Sequence, residues 1–137
     1  MAITVKTVYK GDLRTEATHL QSGTQIITDA PIDNNGKGEA FSPTDLVSAA
    51  LGSCMLTIMG ILANRENINL ENTTLEITKV MSAAPRKIAE IIVDFKIPNS
   101  NTISDIQKQK LINAAHTCPV ALSLSPEVIQ TVNFSWE

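Results

Sequence analysis

The chain has 137 residues, which is enough for a single domain, residues 1–137, to bury a core without disulfide bonds. Its 11 basic and 14 acidic side chains give a formal net charge of −3 at pH 7. Because no basic patch stands out, the composition argues against nucleic acid and against an anionic membrane surface as partners.

The N-terminal third of the sequence predicts three short strands and a loop. The first residues hold no basic region followed by an apolar core, so no secretion signal is expected and the predicted compartment is cytoplasmic. Alternating side chains predict a half-buried strand over Ile3–Tyr9, followed after a glycine turn by strands over Leu13–Leu20 and Thr24–Thr28. The segment Asp29–Glu39, rich in Asn, Gly and Pro, is a loop by composition.

The next stretch contains the clearest helix of the chain. Ser42 is a typical N-cap, Pro43 suits the first helical position, and Asp45 lies where an acid stabilises the positive end of a helix. The residues that follow are apolar or small on every side, so we expect this helix to be buried nearly all round. Its glycines, Gly52 and Gly60, indicate close approach of another backbone, such as an identical helix of a second subunit.

The same stretch is also long and apolar enough to be weighed as a membrane span. Asp45 and Arg65 flank it without a basic cluster, and no Trp or Tyr lies at either end. We therefore interpret it as the core helix of a protein with no membrane partner.

The remainder of the chain predicts a hairpin, a helix and a closing strand. The strands cover Leu70–Met81 and Lys87–Ile97, the helix covers Ile103–His116, and the closing strand covers Val128–Trp136. A short third helix is allowed after the break at Pro119. The order of elements predicts an α+β fold with largely antiparallel sheets around the buried helix.

Two cysteines and two histidines at scattered spacings form no zinc pattern, so we expect no metal site. In a chain without an export signal, two cysteines suggest a reducing compartment.

Cys54 lies inside the apolar helix, where a cysteine is most often a small core residue. Cys118 lies at a helix break, where backbone N–H groups of the next turn can face its sulfur and favour the thiolate. His116 could instead form a Cys/His pair with Cys118 for acyl transfer. Arg14, usually a solvated strand arginine, could be the cation that holds a thiolate.

Two motifs carry a resemblance to a known family. The segment Gly38–Met55, with Ser-Pro-Thr-Asp-Leu-Val-Ser-Ala-Ala followed by Cys54, resembles the signature of the OsmC/Ohr family of thiol peroxidases. The segment Ala115–Val120, Ala-His-Thr-Cys-Pro-Val, resembles the second half of that signature. The resemblance implies the OsmC-like fold, an intertwined homodimer in which sheets of both subunits wrap two long central helices and two active sites lie at the interface.

The resemblance also implies roles for individual residues. Cys54 matches the peroxidatic cysteine, Cys118 the resolving cysteine, and Arg14 the arginine that activates the thiolate. The hydroperoxide-resistance branch pairs this arginine with a glutamate, whereas this chain has Thr44 followed by Asp45. Either Asp45 takes the place of the glutamate or the arginine lacks that partner, and the match is nearer the general OsmC-like branch.

The implied activity is a cysteine peroxidase that reduces small-molecule or lipid hydroperoxides. Cys54 would form a sulfenic acid, Cys118 would close a disulfide with it, and an external dithiol or dihydrolipoyl group would reopen the bond without any bound cofactor. Apolar side chains near the thiolate favour organic hydroperoxides over hydrogen peroxide, namely Met55, Ile58 and Met59. The alternative is a non-catalytic binding or stress protein that uses the apolar interface pocket for a lipid-like ligand.

Overall fold

The computed structural model describes all 137 residues, which form two compact units, Met1–Val47 and Ser48–Glu137. The first unit contains a three-stranded antiparallel sheet in the order β1-β2-β3. Its strands are β1 (Val5–Gly11), β2 (Arg14–His19) and β3 (Gln25–Asp29). The predicted meander is thus confirmed.

The connections of the first unit explain its strand boundaries. Asp12 and Leu13 both have positive φ, 54° and 63°, which is the backbone of a tight hairpin turn. The second strand therefore begins at Arg14 rather than at Leu13. The predicted loop contains one short 3₁₀ turn, Ile32–Asn34. A side chain at Gly36 would overlap the backbone of Ala30, which explains the glycine there.

The second unit contains the hairpin and the closing strand in the order β4-β5-β6. These strands are β4 (Thr74–Ala83), β5 (Arg86–Ile97) and β6 (Ile129–Trp136). β4 pairs with β5 in antiparallel fashion, as predicted, but β6 runs parallel to β5. The mostly antiparallel expectation missed this pair because β6 returns through a helical crossover, which is the connection that parallel strands require.

Three α-helices complete the fold: α1 (Pro43–Arg65), α2 (Asp105–Ala115) and α3 (Pro119–Ser123). Ser42 caps α1 as predicted, since the Asp45 amide donates to its Oγ at 3.1 Å and its own amide donates to Asp45 Oδ2 at 3.0 Å. Ser104 and Gln107 form the same reciprocal capping box at the start of α2. Both long helices therefore begin at a serine whose side chain caps the helix N-terminus.

The core of the second unit lies on one face of its sheet. Ile91, Val93, Phe95 and Ile97 of β5 are all buried there. The ring of Phe95 stacks on Phe134 of β6 with centroids 4.7 Å apart. α1 and α2 add further apolar groups to this core, including Leu51, Met55, Met59, Leu111 and Ala115.

The expectation that α1 is buried nearly all round is wrong for a single chain. Its buried residues form one helical stripe, which consists of Ser48, Leu51, Gly52, Met55, Met59 and Ala63. The other side is exposed, with Ile61 retaining 47% of its accessible surface. α1 is the one helix long and apolar enough to cross a membrane, but its stripe of core contacts is that of a core helix and implies no membrane.

Gly52 is also explained within the chain. A Cβ at this position would lie 2.5 Å from Cδ1 of Ile77 and 3.1 Å from Cδ1 of Leu75, both on β4. The close neighbour is therefore a strand and not a second helix. Nothing in the chain lies within 4 Å of a Cβ placed on Gly60.

Candidate active site

The two cysteines, distant in sequence, lie side by side in the second unit. Cys54 occupies the middle of α1 and is partly exposed, whereas Cys118 is completely buried at the start of α3. The two side chains interact with each other, since Cys54 contributes to raising the pKa of Cys118, and neither is engaged in a disulfide. We call these two residues the cysteine pair.

Cys118 is the N-cap of α3, and its sulfur accepts a hydrogen bond from the Ala121 amide at 3.3 Å. The sequence predicted such N–H groups, but not their net effect. Burial raises the pKa of Cys118, and the neighbouring Cys54 raises it further, while the N–H groups of Ala121 and Val120 offset only part of this increase. Cys118 is therefore a protonated thiol at neutral pH, and its hydrogen-bonding surroundings fix the position of its sulfur.

Arg14 is the centre of a charged cluster in the first unit. Its Nε and Nη2 contact Asp29 Oδ1 and Oδ2 at 2.7 and 2.8 Å, a bidentate pair across the β2–β3 register. Glu39 Oε2 lies 3.7 Å from Nη2, and the Glu39 amide donates to Asp29 Oδ2 at 3.2 Å. The hydrogen bonds with Asp29 raise the pKa of Arg14 and hold the pKa of Asp29 below its usual value. Arg14 is thus an oriented cation rather than a solvated strand residue.

Sequence reasoning missed both carboxylates of this cluster. Asp29 and Glu39 lie at the two ends of the segment whose composition predicts a loop. The signal for Asp29 was the strand register, because the first residue of β2 faces the last residue of β3. Asp45, which the sequence offered as one possible replacement for the family glutamate, accepts a hydrogen bond from the Ser42 amide at the start of α1.

The structure also gives the positions of the other residues that the sequence singled out for chemistry. His116 is exposed and forms no hydrogen bond with the buried Cys118, so the geometry does not support an acyl-transfer pair. Met55 and Met59 face the core and are completely buried, while Ile58 is half-buried. No group of three or more His, Cys, Asp or Glu side chains is arranged to hold a metal ion.

The structure is thus that of an α+β protein with two neighbouring free thiols, one on a long helix and one at a helix break. The sequence matches the family described as OsmC-like protein over residues 36–133. A solved structure from Psychrobacter arcticus 273-4, provisionally described as an osmotic stress induced and detoxification response protein, is 49% identical with a TM-score of 0.94, over 98% of this chain and 97% of that chain. The chain belongs to the OsmC-like family.

More distant solved structures share the fold. An organic hydroperoxide resistance protein OsmC from Legionella pneumophila is 18% identical, with a TM-score of 0.74 over 98% of each chain. An organic hydroperoxide resistance protein from Elizabethkingia anophelis is 15% identical, with a TM-score of 0.69 over 100% of this chain and 99% of that chain. No curated protein matches the sequence.

Proposed function

We propose that the protein is a thiol-dependent peroxidase that reduces organic hydroperoxides with the cysteine pair. The observation that carries the proposal is the direct interaction of Cys54 with Cys118, 64 positions along the chain. Two neighbouring free thiols can supply the two electrons needed to cleave one O–O bond. Relatives named for organic hydroperoxide resistance share the fold and add support from the family.

The environments of the two thiols favour distinct roles. A protonated thiol is a poor nucleophile, and burial keeps Cys118 protonated and out of reach of solvent. Cys54 is partly exposed, so the first attack on a peroxide is assigned to its sulfur. The Cys54 thiolate attacks one peroxide oxygen, the O–O bond breaks, and the other oxygen leaves as an alcohol after taking up a proton.

The second step closes the pair. The Cys118 sulfur attacks the Cys54 sulfenic acid, an S–S bond forms, the S–O bond breaks, and the hydroxyl leaves with the thiol proton as water. The peroxide has gained two electrons and the two thiols have lost them. An external dithiol, of the dihydrolipoyl type or a small thiol, then reduces the disulfide by exchange, so no bound cofactor is required.

Arg14 is proposed to stabilise the thiolate of Cys54, a role that rests on the family resemblance. Its charge is secured by Asp29 and Glu39, and Asp29 takes Nε and Nη2 of the guanidinium, which leaves Nη1 for a further ligand. Asp45 is proposed as a second carboxylate of the site, in the place of the glutamate used by hydroperoxide-resistance proteins. Asp29, which binds the guanidinium through both of its oxygens, is proposed as the carboxylate that orients the arginine.

The proposal includes a homodimer and a cytoplasmic location. The apolar outer side of α1, which includes the exposed Ile61, is the surface on which a second copy would pack. A reducing compartment keeps the cysteine pair available for peroxides. The partners are therefore a second copy of the chain, an organic or lipid hydroperoxide and a thiol reductant, with neither nucleic acid nor membrane required.

Peroxide turnover tests this proposal. Purified protein with dihydrolipoamide should consume cumene hydroperoxide faster than hydrogen peroxide, and Cys54→Ser should abolish the reaction. Cys118→Ser should retain the first peroxide cleavage but accumulate sulfenic and sulfinic acid on Cys54. Ser135→Ala, a change at an exposed position of β6 away from α1 and the cysteine pair, is the control and should leave turnover unchanged. Equal turnover by wild type and Cys54→Ser would overturn the proposal.

A further inference from the structure

Gln130 is a polar residue at an inward position of β6. It pairs in register with Ile91, on the sheet face that carries the buried β5 residues and Phe134. Strand alternation would place an apolar side chain there, yet the apolar neighbour Ile129 points to the other face and is 60% exposed. A polar group at such a position costs free energy unless it is hydrogen-bonded, so the Gln130 side chain needs a hydrogen-bond partner.

That partner is the short helix that carries Cys118. The Gln130 side-chain amide donates to the Ala121 carbonyl at 3.0 Å, and the Ala121 amide donates to the Cys118 sulfur at 3.3 Å. Ala121 therefore links the Gln130 side chain to the buried Cys118 sulfur, because its carbonyl bonds to the first and its amide to the second.

The helix needs such an anchor. With five residues, α3 is too short to be stable alone, and the carbonyls of its last turn lack partners within the helix. The Leu124 amide donates to the Val120 carbonyl at 3.1 Å, and the Gln130 side-chain amide donates to the next carbonyl, that of Ala121. The side chain thus ties α3 to a strand that is itself held in the sheet by β5.

We propose that Gln130 is a positioning residue for Cys118, whose side-chain amide anchors α3 to β6 and holds the buried sulfur beside Cys54. The anchoring is independent of the reaction, but its importance for disulfide closure rests on the proposed peroxidase function. Loss of the anchor would let α3 detach more often, which would expose Cys118 and separate it from its partner.

Alkylation of the reduced protein tests the anchoring without any peroxide. Iodoacetamide should reach Cys118 only when α3 opens, so Gln130→Met, which keeps the length of the side chain but removes the amide, should speed Cys118 alkylation about two- to tenfold. Peptide mass spectrometry should show the Cys54 rate unchanged. Gln109→Met is the matched control, because the Gln109 amide bonds only to Asn113 on the surface of α2, and it should alter neither rate.

An unchanged Cys118 rate in Gln130→Met would overturn the proposal, and so would an equal increase for both cysteines, which would indicate general unfolding. A second measurement follows the disulfide. After one equivalent of cumene hydroperoxide, dimedone should trap about two- to tenfold more Cys54 sulfenic acid in Gln130→Met than in wild type. If no protein is oxidised, the peroxidase proposal fails while the alkylation result still decides the role of Gln130.

Discussion

Asp29 and Arg14 show how a single ion pair can depend on details that a sequence does not display. Asp29 is buried, and both of its oxygens bind the guanidinium of Arg14. The arginine was singled out because of the family resemblance, but its partner is determined by which residues of β2 and β3 face each other. Gln130 was missed for a similar reason, since its partner is a backbone carbonyl of a helix nine residues earlier.

The ion pair predicts a pH dependence of stability. The pKa of Asp29 is lower in the folded protein than in the unfolded chain, because its hydrogen bonds with Arg14 favour the carboxylate. The ionised pair therefore contributes stability above the unfolded pKa of about 3.9, and this contribution is lost as the pH falls through the lower native pKa.

Asp29→Asn should consequently lower the urea midpoint at pH 7, and the difference from wild type should shrink as the pH is reduced towards 3. Glu127→Gln is the control, because Glu127 forms an exposed ion pair with Lys87 at 2.8 Å and its removal should change the midpoint little at either pH. A difference for Asp29→Asn that stays constant between pH 7 and pH 3 would contradict this account of the pair.

The elements of the fold were largely predictable because their periodicities are clear. The strands of both hairpins alternate along the sequence, and α1 and α2 begin at Ser42 and Ser104, whose side chains cap them. The parallel pairing of β6 with β5 was not predictable from alternation, because a strand pattern does not indicate which neighbour or direction the strand takes. The tight contact between Gly52 and Ile77 likewise depends on how α1 crosses β4.

That contact predicts the outcome of a double-mutant cycle. Gly52→Ala should gain up to about 1 kcal/mol of helix propensity but lose about 1–3 kcal/mol through overpacking against Cδ1 of Ile77, so the net effect should be destabilising. Ile77→Val removes that methyl group. In the Ile77→Val background, Gly52→Ala should therefore lower the free energy of unfolding by less than it does in wild type, as measured by urea denaturation. Strictly additive free energies of unfolding would show that the two residues do not compete for space.

For the whole molecule, the sequence predicted the fold class but overestimated how much of α1 one chain could bury. The buried stripe runs through Leu51, Met55 and Met59, while the opposite side, with Thr57 and Ile61, remains exposed. The helix is apolar on both sides, but a single chain buries only one of them. This is the physical basis of the proposed homodimer.

Sedimentation velocity tests the proposed assembly. Wild type should sediment as a dimer, and Ile61→Glu should shift it towards monomer because it would place a carboxylate in the interface. Ile106→Glu is the matched control, since Ile106 lies on α2 and is 73% exposed, so the dimer should persist. A monomeric wild type, or a dimer unaffected by Ile61→Glu, would show that this side of α1 is not the interface.

The most direct measurement is the fate of the cysteine pair after exposure to one equivalent of cumene hydroperoxide. Non-reducing peptide mass spectrometry should find a bond between Cys54 and Cys118, with one equivalent of cumyl alcohol released for each pair oxidised. If both thiols remain free while the hydroperoxide persists, the two sulfurs do not carry out the reaction proposed for them.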